Sequence, residues 1–484
     1  MHATKSRFTL GLALACAALT LNLAVGAQAQ TVTNLANFNF TNGSRPYAGV
    51  IQATDGNFYG TTNVGGSGYL DGNVFEVTPS GQLRSIYDFC SQPNCVDGRS
   101  PTSAPILGSD GNLYGVTSAG GTGFYGTFYK MTLSGEITTL YSFCETLCLD
   151  GYGPNGIMQA SDGNFYGTAG FGGAFSEGTL FQLTPAGQFK LLHTFCSVPP
   201  NCADGYHPFY PPIQASDGNF YGTAFGGGTS GEPWGGGVLY ELTSTGTFEV
   251  IYNFCSSNTR YGCEHGTGPM SIVQDAKGDF FGTTDYGGNS DAGIVFEISA
   301  STNQLTVLHS FDVTDGEYPI ARITLANDGN LYGVTLDDGG DGSGHLFEVT
   351  PAGVYTPLYT FGSGSAGDDP SALFQGTDGN FYGTTLYGGH NAYSNGTVFK
   401  LSNGLGPLVE TVPVAGKVGT SVIVLGNGLT GSSSVTFNGV EAKFTVESDT
   451  YIKATVPTGA ATGTVAVVTP TGTLNSNPQF VVTK

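Results

Sequence analysis

The sequence predicts an all-β protein, a seven-bladed β-propeller of four-stranded blades followed by an immunoglobulin-like β-sandwich, and three observations carry that expectation. The octapeptide Asp55-Gly56-Asn57-Phe58-Tyr59-Gly60-Thr61-Thr62 returns six more times, from Asp110, Asp162, Asp217, Lys277, Asp328 and Asp378, at steps of 50 to 60 residues. A unit of this length at near-constant spacing cannot bury its own apolar face and must stack on its neighbours. Of the 484 residues 77 are Gly and only 11% are charged, a composition of strands and turns rather than helices. After Pro407 the repeat stops and short β-branched runs take over.

In register, each unit reads Pro, a β-branched or aliphatic stretch, the octapeptide, a Gly-Gly loop, a segment like Gly-Thr-Val-Phe-Glu-Val-Thr-Pro-Ser-Gly, and a stretch like Leu140-Tyr141-Ser142-Phe143. The Asp-Gly pairs tolerate positive φ, and Thr-Pro-x-Gly at 78–81 and 184–187 makes a second tight hairpin. Three turns separating four strands, seven times over, is the count of a propeller. Phenylalanines 89, 143, 195, 254, 311 and 361 end six of the fourth strands, whereas the last unit lacks its own. Residues 33–40 have the right pattern to supply it by pairing with the third strand of the last blade, which satisfies two otherwise open edges.

Phe58 and Tyr59 alternate faces of a strand covered on both sides, so they read as packing residues. Leu113, Phe281 and Leu331 at equivalent positions imply that bulk is needed there and the hydroxyl is not. His193 and His309 stand at the Tyr position of the last strand and read as packing residues too. The unit as a whole resembles the GloVer-type tandem repeat of exported bacterial proteins, over residues 33 to about 402. That resemblance implies secretion, often with a sorting anchor, and no assigned chemistry.

Beyond the repeat, Val418–Gly426, Ser434–Gly439, Ile452–Pro457 and Gly463–Val468 are strand patterns at regular spacing, as in a small β-sandwich. They are similar to an IPT/TIG domain, an immunoglobulin-like module that in extracellular proteins is a spacer or interaction unit. The expected organisation is a signal peptide over 1–29, the propeller over 30–402, a linker over 403–407 and the IPT/TIG-like domain over 408–484.

The first 29 residues carry Lys5 and Arg7, an apolar run from Phe8 to about Val25 and Ala27-Gln28-Ala29, a secretory signal with its cleavage site. Cys16 lacks the Leu that a lipoprotein signal would place three residues earlier. No later run is long enough to span a membrane and no C-terminal anchor is visible. The chain is therefore expected to be exported, to the extracellular space, the cell surface or the periplasm. Without the signal, 13 basic residues face 37 acidic ones, a net charge of −24, which argues against nucleic acid as a partner.

Alternating strand direction puts the Asp-Gly and Thr-Pro-x-Gly turns on one face and the Gly-Gly loops and blade connections on the other, the variable face where function is expected. Eight cysteines lie in the connections, and local bridges Cys90–Cys95, Cys144–Cys148, Cys196–Cys202 and Cys255–Cys263 suit an oxidising compartment. Just after them recurs Asp, Gly, two residues and Pro. The Asp caps a turn in the plainer reading; in the sharper one Asp97, Asp150, Asp204 and Asp315 ring the channel mouth and bind Ca²⁺. Trp234, Tyr206, His207, Phe209, Tyr210, Tyr261, His265, His390 and Tyr393 make a candidate ligand face, since aromatics beside Asp and Asn suit sugars. No catalytic motif is present. An acid/base pair from Asp337, Asp338 or Asp341 with Glu264 or Glu317 would make the chain a polysaccharide lyase or hydrolase. The expected function is binding or adhesion to extracellular glycan or a surface protein, with a purely structural surface role as the other alternative, and no cofactor unless Ca²⁺.

Overall fold

The computed structural model describes residues 30–66, 70–229, 235–255, 263–337, 343–362, 366–389 and 395–483. The predicted signal with Cys16, and Trp234, Tyr261, Asp338, Asp341, His390 and Tyr393, lie outside them. The described residues are β-structure and turns apart from one 3-10 turn at Pro93–Cys95.

Residues 31–402 form seven four-stranded antiparallel sheets, six of them simple meanders. Blades one to six occupy 50–88, 106–142, 152–194, 213–253, 267–310 and 324–360. The seventh takes three strands from 368–402 and its fourth from Thr31–Asn37, which pairs antiparallel with Thr397–Ser402, so the N-terminal segment does complete the last sheet. The phenylalanine that ends this borrowed strand is Phe38, 1% exposed. Its N–H donates to the Gly396 carbonyl at 3.0 Å, as Phe89 does to Gly72, Phe143 to Gly126 and Phe361 to Gly344.

Second and third strands are covered on both faces, which is why Phe58-Tyr59-Gly60-Thr61-Thr62 is buried throughout while the fourth strand Leu83–Asp88 is half exposed. Rings of adjacent blades interlock, Tyr166 on Phe220 at 4.0 Å and Phe58 of blade one on Tyr382 of blade seven at 3.9 Å. Such aromatic pairs add about 1 kcal/mol each to the area they bury. The octapeptide glycine is as constrained as its neighbours: a Cβ on Gly60 would lie 2.5 Å from the Phe75 ring.

Polar locks repeat at the joints. The Gln that ends a first strand accepts from a turn N–H of the preceding blade: Gln159 from Ser109, Gln214 from Ser161, Gln274 from Ser216, Gln375 from Asn327 and Gln52 from Thr377, at 2.8–3.0 Å. On the opposite face the residue before six of the seven motif prolines donates to a loop of the preceding blade: Arg45 to Asn395, Ser100 to Asp71, Gly153 to Tyr125, His207 to Glu177, Gly268 to Gly236 and Tyr318 to Ala292. Both kinds of bond run from blade seven to blade one as they do between consecutive blades.

The C-terminal residues form two four-stranded sheets, with Glu410–Val412, Ser421–Leu425, Tyr451–Thr455 and Lys443–Ser448 in one, and Val440–Glu441, Ser434–Phe437, Val465–Thr469 and Gly472–Asn475 in the other. Val422, Val424, Val435, Phe437, Ile452, Val465 and Val467 fill the space between them. This domain sits on the tight-turn face. Thr450 Oγ1 donates to the Thr54 carbonyl at 2.7 Å, Asn427 Nδ2 to Thr377 Oγ1 at 2.7 Å and Asn477 Nδ2 to the Leu325 carbonyl at 2.8 Å. Ile423 and Leu425 share a core with Ala53 and Leu107 of the blades. The expected linker is pinned rather than free, since Asn327 Nδ2 donates to Gly406 at 2.9 Å.

Candidate functional site

The octapeptide is structural, and its chemistry is richer than bulk alone. Tyr59 donates its hydroxyl to Asp55 at 2.7 Å, and Tyr114, Tyr166, Tyr221, Tyr332 and Tyr382 do the same to Asp110, Asp162, Asp217, Asp328 and Asp378. The reading that the hydroxyl is dispensable is corrected: in the one unit with Phe281 the Asp is also gone, replaced by Lys277. Burial, then the bonded Asp55, raises the Tyr59 phenol far above its ordinary value, so the proton stays on the ring oxygen.

All four predicted disulfides are present, Cys90–Cys95, Cys144–Cys148, Cys196–Cys202 and Cys255–Cys263. Each closes a short loop and stabilises by roughly 2 kcal/mol in the chain-entropy picture. The second glycine of the Gly-Gly loops docks on them: Gly121 N–H donates to the Cys95 carbonyl and Gly173 N–H to Cys148, both at 2.8 Å. Gly121 has φ +80°, a left-handed conformation that favours glycine.

The recurrent aspartates hold these loops from beneath. Asp97 accepts from the Tyr87 hydroxyl at 2.7 Å and the Ser91 N–H at 3.0 Å; Asp150 from Tyr141 at 2.7 Å and the Cys144 N–H. Asp204 bonds His193 Nε2 at 3.0 Å and the Ser197 N–H, and Asp315 bonds His309 Nε2 at 2.8 Å and the Asp312 N–H. Burial alone would raise the Asp204 carboxyl, but His193 and the Ser197 bonds hold it below its usual value. His193 and His309 also stack flat on Phe248 and Tyr355, at 3.7 and 4.1 Å, so they pack and bond at once. His265, where the motif lacks Asp, meets Tyr252 in the same way at 3.3 Å. Each of these groups is thus tied to the fourth strand of its own blade. Among the described residues the one cluster of three possible metal-ligand atoms is Asp71 with Cys90 and Cys95, and those cysteines are bridged.

The ligand-face residues divide. Tyr210 does not lie with the others: its hydroxyl donates to the Ile320 carbonyl of blade six, bypassing blade five. His207 and Phe209 belong to a file of rings along blades two to four that sequence reading caught only in part. Tyr125 meets Tyr152 at 5.3 Å, Tyr152 stacks on Phe171 at 5.5 Å, Phe171 meets His207 at 5.0 Å, His207 stacks on Phe209 at 5.7 Å and Phe209 meets Phe225 at 5.4 Å. Tyr125 and Phe171 are exposed, with Phe124 and Phe175 beside them. His207 lies 3.2 Å from Glu177; burial, opposed by Glu177, holds its imidazole below the ordinary value and so keeps it neutral.

The seven residues before the motif prolines, Arg45, Ser100, Gly153, His207, Gly268, Tyr318 and Asp369, all have φ between +52° and +65°. Proline disfavours helical backbone in its predecessor and left-handed backbone favours glycine, yet five of the seven carry side chains, all different.

On blades five to seven the same face is acidic. Glu317 and Asp337 are joined by paired backbone bonds, Glu317 N–H to the Asp337 carbonyl at 2.8 Å. Burial, then Asp368 and Asp337, pushes the Asp369 carboxyl up to about 6. Burial also pushes Asp285 up to about 6, against a bond with Tyr286 and with a smaller rise from Asp291.

These features meet known proteins as follows. The Gloeobacter/Verrucomicrobia repeat matches residues 23–232 and 212–443, and the IPT/TIG domain matches residues 408–482. The chain belongs to the Gloeobacter/Verrucomicrobia repeat family. No curated protein matches it. Among solved structures it is similar to the extracellular domain of a proposed hybrid two component system from B. thetaiotaomicron, at 12% identity and TM-score 0.48 over 94% of this chain. The chain spans about half, 54%, of that structure. It is also similar to TolB from Acinetobacter baumannii, at 14% identity and TM-score 0.39, covering 65% of this chain and 63% of that one. A gluconolactonase from Xanthomonas campestris is similar at 11% identity and TM-score 0.37, covering 61% and 84%. At these values no residue role carries over. No described helix is long and apolar enough to cross a membrane.

Proposed function

We propose that the chain is an exported binding protein, that its seven sheets close into one seven-bladed propeller, and that the loop face of that propeller binds extracellular glycan. The observation that carries this reading is the file of rings from Tyr125 to Phe225, five contacts of about 5 Å laid across three blades. Rings present flat apolar area at little entropic cost, the surface that matches the apolar faces of successive sugars, and Glu177 and Asn155 supply polar neighbours for hydroxyl groups. The stapled loops and the bonds from blade to blade keep the rings in register. Support for ring closure comes from the Gln52–Thr377 and Arg45–Asn395 bonds, which repeat at the seven-to-one joint the pattern of the other joints.

The test is a glycan array with and without EDTA, with product analysis on each hit, followed by Phe171→Ala and Tyr152→Ala. Binding without turnover that falls at least tenfold in either variant supports the proposal, and EDTA sensitivity would support the Ca²⁺ reading. Binding unchanged in both variants sinks it. A second reading, a carbohydrate-active enzyme, is favoured by Asp285 and Asp369, since carboxyls held near 6 can act as general acids. Released product would establish it, and silence on the array would favour a structural surface role.

A further inference from the structure

Two loops beside blade two break a backbone rule that equivalent loops keep. In the three staples whose closing turn is described, the residue before the second cysteine is left-handed: Asn94 at φ +60°, Leu147 at +59° and Asn201 at +58°. The same conformation recurs two residues before the glycine that opens a third strand, in Phe124 at +68°, Ser176 at +66° and Asp291 at +59°. Asn and Asp reach left-handed backbone at the least cost, because a short polar side chain bonds locally, whereas a bulky apolar residue there is an outlier. Of these six residues only Leu147 and Phe124 are apolar, and both face solvent, Leu147 81% exposed and Phe124 64%. Neither the backbone nor the water favours them there, which points to a task outside the fold.

The two side chains belong to one surface. The 144–148 staple is wedged between two Gly-Gly loops: a Cβ on Gly123 would lie 2.9 Å from the Cys144 carbonyl oxygen, and Gly173 N–H donates to the Cys148 carbonyl at 2.8 Å. Leu149, 51% exposed, follows the staple, and Phe175, 52% exposed, stands in the second of those loops. Four large apolar side chains, each more than half exposed on three touching loops, make the kind of patch that marks an interaction surface, which a single exposed Leu would not. None of the four belongs to the ring file from Tyr125 to Phe225, and the two leucines offer a sugar neither a ring face nor a hydrogen bond. Residues 118–126, 144–153 and 171–178, which carry the patch, include Glu145, Asp150 and Glu177 and no Lys or Arg. Asp150 is turned onto Tyr141, whereas Glu145 stands two residues from Leu147 and Glu177 two from Phe175.

Charge selects the occupant. At a formal net charge of −22 the chain repels a second copy of itself and an anionic lipid surface, and it attracts cations. We propose that the patch docks a basic amphipathic segment of a partner protein, with apolar side chains against Phe124 and Leu147 and Lys or Arg against Glu145 and Glu177. The inference goes beyond the glycan reading and does not depend on it. Fluorescence anisotropy of the full mature chain with a helix-forming Leu/Lys peptide tests it, beside a Lys/Ser peptide of equal charge and a variant carrying Phe124→Ser and Leu147→Asn together. Each substitution installs the residue type that an equivalent loop already holds, Ser176 for the first and Asn94 or Asn201 for the second, so the melting temperature is expected not to fall. The expected result is Leu/Lys binding at least tenfold tighter than Lys/Ser binding and at least tenfold weaker in the double variant. No binding, or binding no tighter than that of the Lys/Ser peptide, would overturn the proposal, the latter as bulk charge alone. Binding unchanged in the double variant would overturn it too, as would a lowered melting temperature, which would make the two side chains packing residues. Sedimentation and vesicles of phosphatidylcholine with phosphatidylglycerol decide the other occupants: a dimer or a vesicle complex abolished by the double variant would assign the patch to a second copy or to lipid instead.

Discussion

The two faces of the seven-sheet array are built from the same chain by opposite rules. On the tight-turn face most units repeat the same Asp, Gly, Tyr and Gln contacts, and the C-terminal domain covers part of it through Thr54, Leu325 and Thr377. On the loop face the backbone contacts repeat but the side chains diverge, as the five different residues before the motif prolines show. Repetition marks what holds the blades together, and divergence above a repeated backbone marks what is free to recognise a ligand. The exceptions agree with this. Blades two and six have Leu107 and Leu325 where the others have Gln; Leu107 packs in the core shared with the C-terminal domain, and the Leu325 carbonyl bonds it.

The comparison can be broken most forcefully where the chain ends meet. Phe38→Ala opens a cavity beneath the borrowed strand, so a loss of about 3–5 kcal/mol is expected in chemical denaturation. A loss under 1 kcal/mol would show that the N-terminal strand is an ornament of the seventh sheet. Next in size, Asp150→Ala leaves the Tyr141 hydroxyl and the Cys144 N–H without their acceptor, for about 1–3 kcal/mol, with faster cleavage of the 144–148 loop by proteases. An unchanged protease pattern would separate the aspartates from loop order.

The covered face has its own pH signature. A carboxyl whose folded pKa is raised holds its proton in the folded chain after the unfolded chain has lost it, so stability falls as pH rises between the two values. For Glu410 the window runs from the ordinary Glu value to about 8. Glu410→Gln should therefore raise the melting temperature at pH 8 and leave it nearly unchanged at pH 5; equal effects at both would place the carboxylate in solvent. The smallest expected effect is Gln159→Leu, which removes the bond to Ser109 but mimics blades two and six, for about 1 kcal/mol or less. A larger loss would mean that the Leu positions rely on the C-terminal domain.

Much of this architecture was legible without coordinates, because it rests on local patterns. The octapeptide spacing specified the meander, the missing seventh Phe specified the borrowed strand, and cysteines four to eight residues apart in four equivalent loops left few other pairings. What sequence could not determine was which way side chains turn at equal spacing. Asp97, Asp150, Asp204 and Asp315 recur as regularly as a metal ring would, and only the fold shows their oxygens on Tyr87, Tyr141, His193 and His309. The ring file from Tyr125 to Phe225 draws on residues 100 positions apart in three units, and the bonds of Thr450 to Thr54 and of Asn477 to Leu325 join two domains. Periodicity determines the blade, since each blade is made of near neighbours in the chain. The site depends on where different blades converge, a long-range contact that no single repeat encodes.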